Sequence, residues 1–393
     1  MRKYKMKNNG QYIAFDYLAI QPTIFSPFHG GGKYGKVILN KLLSIFPKIV
    51  LFYSEKAPHA EIENITQNNK DVVLANLDEK NTWGLIFASY NISCLYLPIP
   101  FSRLYKQYYK KFPKHLRVVG TIHGLRNLEA MPGLDAFRYK VPFKGKIKIL
   151  AEFLKYHCLK YKWRAFQQWK NLIESKNYEY FVVSNFTRDA IKKILPNQSP
   201  CVFYSPSVVQ NYDKIEKKEN YFLLVSGNRW EKNNLFALRV LDGMFSKQML
   251  PADFFVKITG VSSLDCFCFK FKNPEKFCCV GYVSEKEFSK LYIKAYALIY
   301  PSLSEGFGYP ILEALAVETP VVASNVTSIP EIGGNAALYF NPKDPIDAER
   351  QIKKILDSNV YNLLRLNTIS QYKKVFNRQQ LDLQGAVNFI TKN

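Results

Sequence analysis

Short apolar runs alternate with longer amphipathic segments along most of the chain, and this alternation constrains the fold more than any other feature. One series of runs occupies residues 12–20, 49–53, 94–97, 117–122 and 180–184. A second series occupies residues 221–226, 254–259, 277–280, 297–300, 321–324 and 337–340. Short strands separated by helical segments are typical of parallel sheets with helices on their faces. The sequence therefore predicts an α/β fold with two Rossmann-like parallel-sheet domains.

The length of the chain and a turn-rich segment at residues 204–213 predict two domains. At 393 residues the chain exceeds one ordinary core and suits two domains of about 200 residues each. We place the first domain at residues 1–206, the second at residues 207–376 and a terminal helix at residues 377–393. Two such sheets face each other across a cleft at the carboxyl ends of their strands. Dehydrogenases, binding proteins and transferases share that arrangement, so the motifs must decide the function.

The stretch from Ser304 to Glu313, SEGFGYPILE, places two carboxylates on either side of a glycine-containing turn. Pro310 suits the first position of a helix, so the stretch predicts a loop followed by a helix start. Backbone N–H groups at such a turn suit a phosphate, and glycine allows a ligand to approach closely. Carboxylates accept hydrogen bonds, so Glu305 and Glu313 suit the hydroxyls of a polyol that carries a diphosphate. Taken singly, each acid could instead be a capping or solvated residue.

The motifs around this stretch, taken in order, resemble the signature of the retaining glycosyltransferases of the GT-B fold, family 4, or glycosyl transferases group 1. The likeness is close over residues 220–345 and looser over the first half. It implies a GT-B fold in which the terminal helix crosses back onto the first domain. The motifs are residues 281–292, Pro301-Ser302, the two glutamates, Thr319–Ser324, Ile329–Ile332 and Gly333-Gly334.

The resemblance also assigns roles to individual residues. It implies that Glu305 holds the donor sugar, that the Gly306-Phe307-Gly308 backbone holds sugar and phosphate, and that Glu313 holds the ribose. It further implies that a basic pair, Arg229 and Lys232, stabilises the departing diphosphate, since negative charge grows there as the glycosidic bond breaks. For these two cations, a solvated surface position is the alternative.

Two stretches of the first half fit the same site by resemblance. The segment HGGGKYG at residues 29–35 matches the position of the family's glycine-rich loop, so Gly31 and Gly32 are predicted to approach the donor diphosphate. The segment lacks the Gly-x-Gly-x-x-Gly pattern of nicotinamide-binding proteins. His123, in TIHGLRN at residues 121–127, resembles the family's histidine and is predicted to hold a hydroxyl of the donor sugar. A buried structural histidine is the alternative.

The positive charge is concentrated in the first half of the chain. Residues 1–200 contain 32 Lys and Arg against 13 Asp and Glu, net +19, and residues 201–393 contain 23 against 19, net +4. Much of this charge lies among aromatic residues between residues 103 and 176. Three interpretations stay open for that surface: solvated helices, an anionic membrane surface, or nucleic acid. We expect no nucleic acid, because no recognisable binding module accompanies the charge.

These observations predict an enzyme that moves a hexose from a nucleotide-diphosphate sugar, GDP-mannose or a UDP-sugar, to a hydroxyl of a saccharide or lipid-linked saccharide. The alternative is a two-domain nucleotide- or polyanion-binding protein without transferase activity. No metal ligand spacing is present, so no cofactor or metal is expected. The first apolar run contains an acid and precedes no small-residue cleavage site, so we expect a cytoplasmic protein, peripheral on the inner face of the plasma membrane.

Two further features test details of this interpretation. The family has glycine where this chain has Glu318, so we expect either a strained helix end, at a cost of about 1 kcal/mol, or a different turn. The seven cysteines fit no disulfide framework and no zinc knuckle, so they are predicted to be buried thiols in strands.

Overall fold

The computed structural model describes most of the chain and contains two parallel sheets. The described residues are 10–22, 30–46, 48–57, 60–129, 132–139, 146–147, 149–151, 153–154, 158–207 and 217–392. The first sheet has seven strands in the order β3-β2-β1-β4-β5-β6-β7. These strands are β1 (Tyr12–Asp16), β2 (Ile49–Tyr53), β3 (Val73–Asn76), β4 (Ile92–Leu97), β5 (Arg117–Ile122), β6 (Tyr178–Val182) and β7 (Cys201–Val202).

The second sheet has six strands in the order β10-β9-β8-β11-β12-β13. Its strands are β8 (Glu219–Leu224), β9 (Phe255–Thr259), β10 (Phe277–Gly281), β11 (Ala295–Tyr300), β12 (Val321–Ser324) and β13 (Ala337–Phe340). The strand order reverses between β1 and β4 in the first sheet and between β8 and β11 in the second. At such a reversal the loops after the two strands diverge and leave a crevice for a ligand.

Helices connect these strands and cover both sheets. In the first domain they are α1 (Gly30–Ile45), α2 (Ala60–Asn68), α3 (Thr82–Ser89), α4 (Arg103–Tyr108), α5 (Arg126–Glu129), α6 (Leu159–Ile173) and α7 (Asn185–Ile194). In the second domain they are α8 (Asn234–Ser246), α9 (Glu285–Lys294), α10 (Tyr309–Leu315), α11 (Ile329–Gly333), α12 (Pro345–Lys354) and α13 (Ser358–Thr391). Single 3-10 turns lie at Tyr17–Ala19, Tyr109–Lys111, Leu134–Arg138, Trp230–Lys232, Leu264–Cys266, Pro274–Lys276 and Gly334–Ala336.

The predicted α/β fold with two parallel sheets is confirmed. The apolar runs at Ile49–Tyr53, Arg117–Ile122 and Val321–Ser324 form strands with those bounds. The sequence interpretation missed β3 and β7, which are short and only partly buried. Both lie in short apolar runs, residues 72–75 and 201–204, and runs this short do not by themselves distinguish a strand from a piece of helix or loop.

Helix α13 is a single helix of 34 residues that contacts both domains. Near its start, the Arg365 guanidinium donates to the Glu318 carboxylate at 3.0 Å in the second domain. At its end, the Arg117 guanidinium of β5 donates to the carbonyls of Phe389 at 2.6 Å and Ile390 at 2.9 Å. A cation at the last carbonyls of a helix complements the helix dipole. Arg117 therefore holds the end of this helix on the first domain.

A segment of the first half of the chain packs into the core of the second domain. Tyr139 is buried and its ring lies edge-on to that of Phe267, with ring centroids 5.4 Å apart. The Leu235 amide, in the first turn of α8, donates to the Tyr139 hydroxyl at 3.0 Å. The Cys268 amide donates to the Arg138 carbonyl at 2.6 Å. The two halves of the chain therefore interlock at this point, and the domain boundaries at residues 206 and 376 remain predictions.

The expectation that the cysteines are buried in strands is wrong for most of them. Only Cys94 is buried among the seven free cysteines of the structure. Cys158, Cys201, Cys268 and Cys278 are exposed because they lie on loops or at the edges of the sheets. Apolar neighbours in the sequence do not indicate burial where a strand lies at a sheet edge.

Glu318 lies in the turn after α10 and has a left-handed backbone, as the comparison with glycine suggested. Its φ is 54°, a region that costs a residue with a Cβ about 1 kcal/mol. Its carboxylate accepts from Arg365 at 3.1 and 3.0 Å. This pair is partly exposed, and such pairs contribute about 0–1 kcal/mol. The ion pair therefore offsets part of the conformational cost.

We predict that Glu318→Gly stays within about 1 kcal/mol of the parent protein, since relief of the backbone offsets the lost ion pair. Glu318→Ala loses the pair and keeps the left-handed backbone, so it should be less stable than the glycine variant by about 1 kcal/mol. Urea denaturation of the three proteins measures this difference. Equal stability of the alanine and glycine variants would contradict the assignment of strain.

Asp16 is a fully buried acid at the carboxyl end of β1. Burial raises its pKa to about 7, against weaker lowering by hydrogen bonds with Ser102 and the Ala19 amide. One carboxyl oxygen, Oδ2, has no hydrogen-bond partner in the described part of the chain. The folded state therefore prefers the protonated acid, whereas the unfolded chain ionises near pH 3.8.

A raised pKa makes folding bind a proton, so Asp16 reduces the free energy of unfolding as pH rises from about 4 to about 7. Asp16→Asn removes this titration. We predict that the variant gains stability relative to the parent over that window, measured by urea denaturation at successive pH values. Asp78→Asn is the matched control: burial raises the Asp78 pKa, but hydrogen bonds from Ser54 and Lys56 outweigh it and lower the pKa. An Asp16→Asn difference that does not change with pH would contradict this prediction.

Candidate functional site

The loops after β8 and β11 meet at the strand-order reversal of the second sheet. The turn after β8 contains Arg229 and Lys232, and the loop after β11 contains Glu305. Helix α10 follows that loop, with Pro310 in its first turn and Gly308 before it at φ 106°. Because β8 and β11 are paired neighbours, their loops bring these charged residues together although they are distant in the sequence.

Glu305 lies at the centre of a buried hydrogen-bond cluster. Its Oε1 accepts from the Lys232 ammonium at 2.5 Å, from the Tyr300 hydroxyl at 2.6 Å and from the Ser302 hydroxyl at 2.5 Å. The Lys232 ammonium also donates to the Tyr300 hydroxyl at 2.9 Å. All three described donors converge on Oε1, so Oε2 can accept from a ligand. Buried charges require such partners, and this cluster supplies them.

The charge state of Glu305 follows from these contacts. Burial raises its pKa, but the Lys232 ammonium and the two hydroxyls outweigh burial and hold the pKa below its ordinary value. Burial lowers the pKa of Lys232, and the Glu305 carboxylate opposes this effect. Glu305 is therefore a carboxylate at neutral pH and an acceptor for hydroxyls rather than a proton donor. Lys232 is only 7% exposed, so it does not occupy the alternative position on a solvated surface.

The backbone around Glu305 is fixed by hydroxyl groups from the loop before α11. The Glu305 amide donates to the Thr327 hydroxyl at 3.0 Å. The Ser328 hydroxyl donates to the carbonyls of Glu305 and Phe307, each at 2.9 Å. The Phe307 side chain is buried, and its ring packs edge-on against that of Tyr204. The side chain of Phe307 is therefore structural, and only its backbone remains available for the predicted donor contact.

Arg229 is paired with a carboxylate that the sequence interpretation did not assign. Its Nε and Nη2 donate to Glu231 Oε1 at 2.8 and 2.6 Å. The Arg229 side chain is 44% exposed while that of Glu231 is 9% exposed. Burial lowers the pKa of Arg229, but the Glu231 carboxylate outweighs it and raises the pKa. Arg229 is thus oriented by Glu231, and part of its side chain remains exposed to solvent.

Gly306 is the point at which the two domains approach most tightly in this loop. A Cβ at this position would lie 1.9 Å from the His123 carbonyl oxygen, which is backbone of the first domain. Gly124 lies opposite, where a Cβ would come within 3.7 Å of the Gly306 Cα. A side chain at Gly306 would therefore push the domains apart. The sequence interpretation expected this glycine to admit a ligand, and its geometry shows a domain contact.

His123 is half-buried between the two domains. Its Nε2 lies 2.8 Å from the Pro98 carbonyl, and its ring lies edge-on to that of Tyr34, with centroids 4.6 Å apart. The Tyr34 hydroxyl is 2.9 Å from that of Thr121 in a buried network. A carbonyl at Nε2 requires the proton there, so α1 and the end of β4 together orient the ring.

Glu129 was not identified from the sequence, although it reaches the same loop. Its Oε1 accepts from the Leu125 amide at 3.1 Å, and its Oε2 accepts from the Ser304 hydroxyl at 3.3 Å across the cleft. Burial raises the pKa of Glu129, against weaker lowering by these hydrogen bonds. The acid therefore joins the turn after His123 to the loop that contains Glu305.

Glu313 and the glycine-rich segment face each other across the cleft. Lys33, in the first turn of α1, lies 3.9 Å from Glu313 Oε1 and 3.8 Å from Glu285 Oε1. Burial raises the pKa of Glu313, and the Lys33 ammonium is the largest opposing effect. Gly31 and Gly32 lie in the first turn of the same helix rather than in a loop. The structure thus places both glycines and Glu313 at one side of the cleft, linked by Lys33.

The candidate site is organised by hydroxyls, carboxylates and ammonium groups. No group of three or more His, Cys, Asp or Glu residues that could hold a metal ion occurs in the part of the chain that the structure describes. Tyr300, Ser302, Thr327, Ser328, Glu129 and Lys33 belong to the site and were not assigned from the sequence. Tyr300 and Ser302 flank a predicted strand end, a position that often carries functional residues. The contacts of Lys33 and Glu129 arise between domains and have no local sequence signal.

Two parallel sheets whose carboxyl ends face one cleft, joined by a terminal helix that returns to the first domain, define a GT-B protein. This fold was expected from the resemblance and is confirmed. Residues 208–375 match the family Glycosyl transferases group 1. This match lies in the second half of the chain and covers less than half of its residues.

One curated relative is the O-antigen chain mannosyltransferase RfbU of Salmonella typhimurium, which is 34% identical over 175 residues. The match covers 44% of this chain and 49% of that protein, so the chain spans about half the length of this relative. Among solved structures, sucrose-phosphate synthase from Thermosynechococcus elongatus has a TM-score of 0.65 at 14% identity, with 97% of this chain and 98% of that chain covered.

A second solved structure is that of Anabaena HepE in complex with UDP-glucose. Its TM-score is 0.64 at 11% identity, with 96% of this chain and 99% of that chain covered. At these identities both structures support the GT-B fold and leave the substrates of this chain to be argued from its own residues.

Proposed function

We propose that this protein is a retaining, metal-independent glycosyltransferase that moves a hexose from a nucleotide-diphosphate sugar to a hydroxyl of a saccharide or lipid-linked saccharide. The observation that supports it most is the buried Glu305 carboxylate, held at one oxygen by Lys232, Tyr300 and Ser302. Such a carboxylate presents an acceptor to sugar hydroxyls at a fixed position. The match of residues 208–375 to a glycosyltransferase family supports the same function.

The proposed reaction breaks the bond between the sugar's anomeric carbon and the diphosphate and forms a bond to the acceptor oxygen on the same face. The acceptor's proton passes to a phosphate oxygen of the leaving diphosphate. Arg229 and Lys232 would stabilise the negative charge that grows on that group. Glu305 and His123 would hold sugar hydroxyls, and Glu313 would accept from the ribose. Retention of configuration and independence of metal ions are implied by the family resemblance.

Mannose is the hexose that we propose for the donor. The Salmonella relative is an O-antigen chain mannosyltransferase, and a second relative, 51% identical over 69 residues, is O-antigen chain mannosyltransferase B of Escherichia coli. Both names favour GDP-mannose over a UDP-sugar as the donor. They also favour a surface polysaccharide as the class of acceptor. We propose a cytoplasmic enzyme that meets such an acceptor at the inner face of the plasma membrane.

We predict that GDP-mannose stabilises the protein against heat, by about 2.7 kcal/mol at 100 times its dissociation constant.

With the donor that binds, Glu305→Gln should lower the rate of donor hydrolysis by about 100-fold, because its amide cannot replace the charge that faces the sugar. Arg229→Ala should abolish hydrolysis of the donor, and Glu313→Ala should mainly weaken donor binding. A thermal-shift screen of nucleotide sugars and a donor-hydrolysis assay measure these effects.

The matched control for these variants is Glu349→Gln, which removes, on α12, the half-buried partner of the exposed Lys247. Circular dichroism should show that each variant is folded, since removing one partner of a buried ion pair is destabilising. Unchanged hydrolysis in folded Glu305→Gln would refute the assignment of Glu305. Stabilisation by polyphosphate but by no nucleotide sugar would instead favour the binding protein without transferase activity.

The basic surface between residues 103 and 176 supports a further proposal, that the first domain docks on anionic lipid. Several large apolar side chains are exposed there, which is unusual for residues of this type. They are Tyr109, Leu134, Ile147, Leu150, Leu154 and Trp163. The structure shows no helix long and apolar enough to cross a membrane among the described residues. Exposed apolar side chains beside lysines and arginines suit the headgroup region of a bilayer.

We predict that the protein floats with vesicles that contain phosphatidylglycerol and not with phosphatidylcholine vesicles at low salt. Each lysine near the surface contributes about 1 kcal/mol to such binding. The double variant Lys110→Gln, Lys111→Gln should therefore float less than the parent. The control, Lys353→Gln with Lys354→Gln on α12, removes the same charge from the second domain and should float as the parent does. Equal recovery of the parent with both kinds of vesicle would contradict the proposal.

A further inference from the structure

Two of the three cations described at the cleft are already committed to carboxylates. Lys232 donates to Glu305 at 2.5 Å, and Arg229 donates to Glu231 at 2.6 Å. Both distances are those of short charge-assisted hydrogen bonds. A diphosphate that approaches these groups therefore meets pairs whose charge is largely neutralised within the protein.

Lys33 differs from these two cations in its distances and its exposure. Its ammonium lies 3.8 Å from Glu285 and 3.9 Å from Glu313, beyond the usual range of a hydrogen bond. The Lys33 side chain is 39% exposed and that of Glu285 is 69% exposed, so water screens this contact. Among the cleft cations that the structure describes, Lys33 can therefore leave its partners at the lowest cost.

The charges around the cleft require such a change of partner when an anion binds. The three cations Lys33, Arg229 and Lys232 are in contact with four carboxylates, those of Glu231, Glu285, Glu305 and Glu313. This set has an excess of one negative charge before a diphosphate adds more. Attraction for an anion then depends on a cation that can turn from a carboxylate to the ligand.

We propose that Lys33 is a diphosphate-binding residue of the donor site, which exchanges Glu313 for the phosphate groups of the nucleotide when the donor enters the cleft. Its place in the first turn of α1 puts it on the first domain, opposite the donor-binding loop of the second. The exchange frees the Glu313 carboxylate to accept from the ribose hydroxyls. This inference rests on the proposed function and adds a third cation, contributed by the other domain, to the pair after β8.

The test compares nucleoside diphosphates with the corresponding nucleosides by isothermal titration calorimetry, with GDP and guanosine and with UDP and uridine as probes. Lys33→Met should weaken binding of the diphosphate by about tenfold, the effect of one charge-assisted contact. Binding of the nucleoside should stay within about twofold, because it lacks the phosphates. Lys33→Arg retains the charge and should bind the diphosphate more tightly than Lys33→Met does. Lys41→Met, on the same helix without a described carboxylate partner, is the control and should bind as the parent does.

A second variant tests the exchange itself. Glu285→Gln removes one of the two carboxylates that hold Lys33, so it should tighten binding of the diphosphate in the parent protein and leave it unchanged when Lys33→Met is also present. Equal losses of diphosphate and nucleoside binding in Lys33→Met would overturn the proposal, since Lys33 would then act only through Glu313. Unaltered diphosphate binding in that variant would overturn it as well. If the unmodified protein binds neither GDP nor UDP, the proposed function fails together with this inference.

Discussion

The buried ion pair between Lys232 and Glu305 is the contact on which the rest of the site depends. It joins the turn after β8 to the loop after β11 at 2.5 Å, with the hydroxyls of Tyr300 and Ser302 around the same oxygen. Two charges with so little exposure persist only when each has a partner. The pair therefore fixes the position of the loop after β11 relative to the second sheet. In that position, Gly306 of the loop contacts the His123 carbonyl of the other domain.

The ionised carboxylates of the cleft can act both as hydrogen-bond acceptors and as partners of cations. As acceptors they can hold hydroxyls, and as anions they neutralise the cations of the site. Glu331, in α11, instead joins the two domains, since its carboxylate accepts from the amides of Asn185 at 2.9 Å and Phe186 at 3.1 Å at the start of α7. Contacts of this kind link the second domain to the start of a helix of the first.

The sequence predicted the two sheets and the presence of Glu305, Arg229 and Lys232 near the cleft, because strand runs and motifs are local features. It did not predict that Lys232 would pair with Glu305, which requires knowing that β8 and β11 are neighbours. The contact of Gly306 with His123 and that of Glu129 with Ser304 depend on how closely the domains approach. Such distances follow from packing over the whole chain, so they cannot be predicted from any short segment of the sequence.

The long terminal helix has a mechanical consequence. A helix of 34 residues is about 50 Å long, and this one is attached to the second domain at Arg365 and to the first domain through Arg117. A continuous helix resists bending, so this one is a rigid element that contacts both domains. Separation of the two sheets then requires rotation about this helix or release of its contacts with the first domain, which include Arg117 and the hydrogen bond from the Tyr204 amide to Asp382 at 2.9 Å. The direction in which the cleft opens is therefore set by a helix that need not touch the sugar at all.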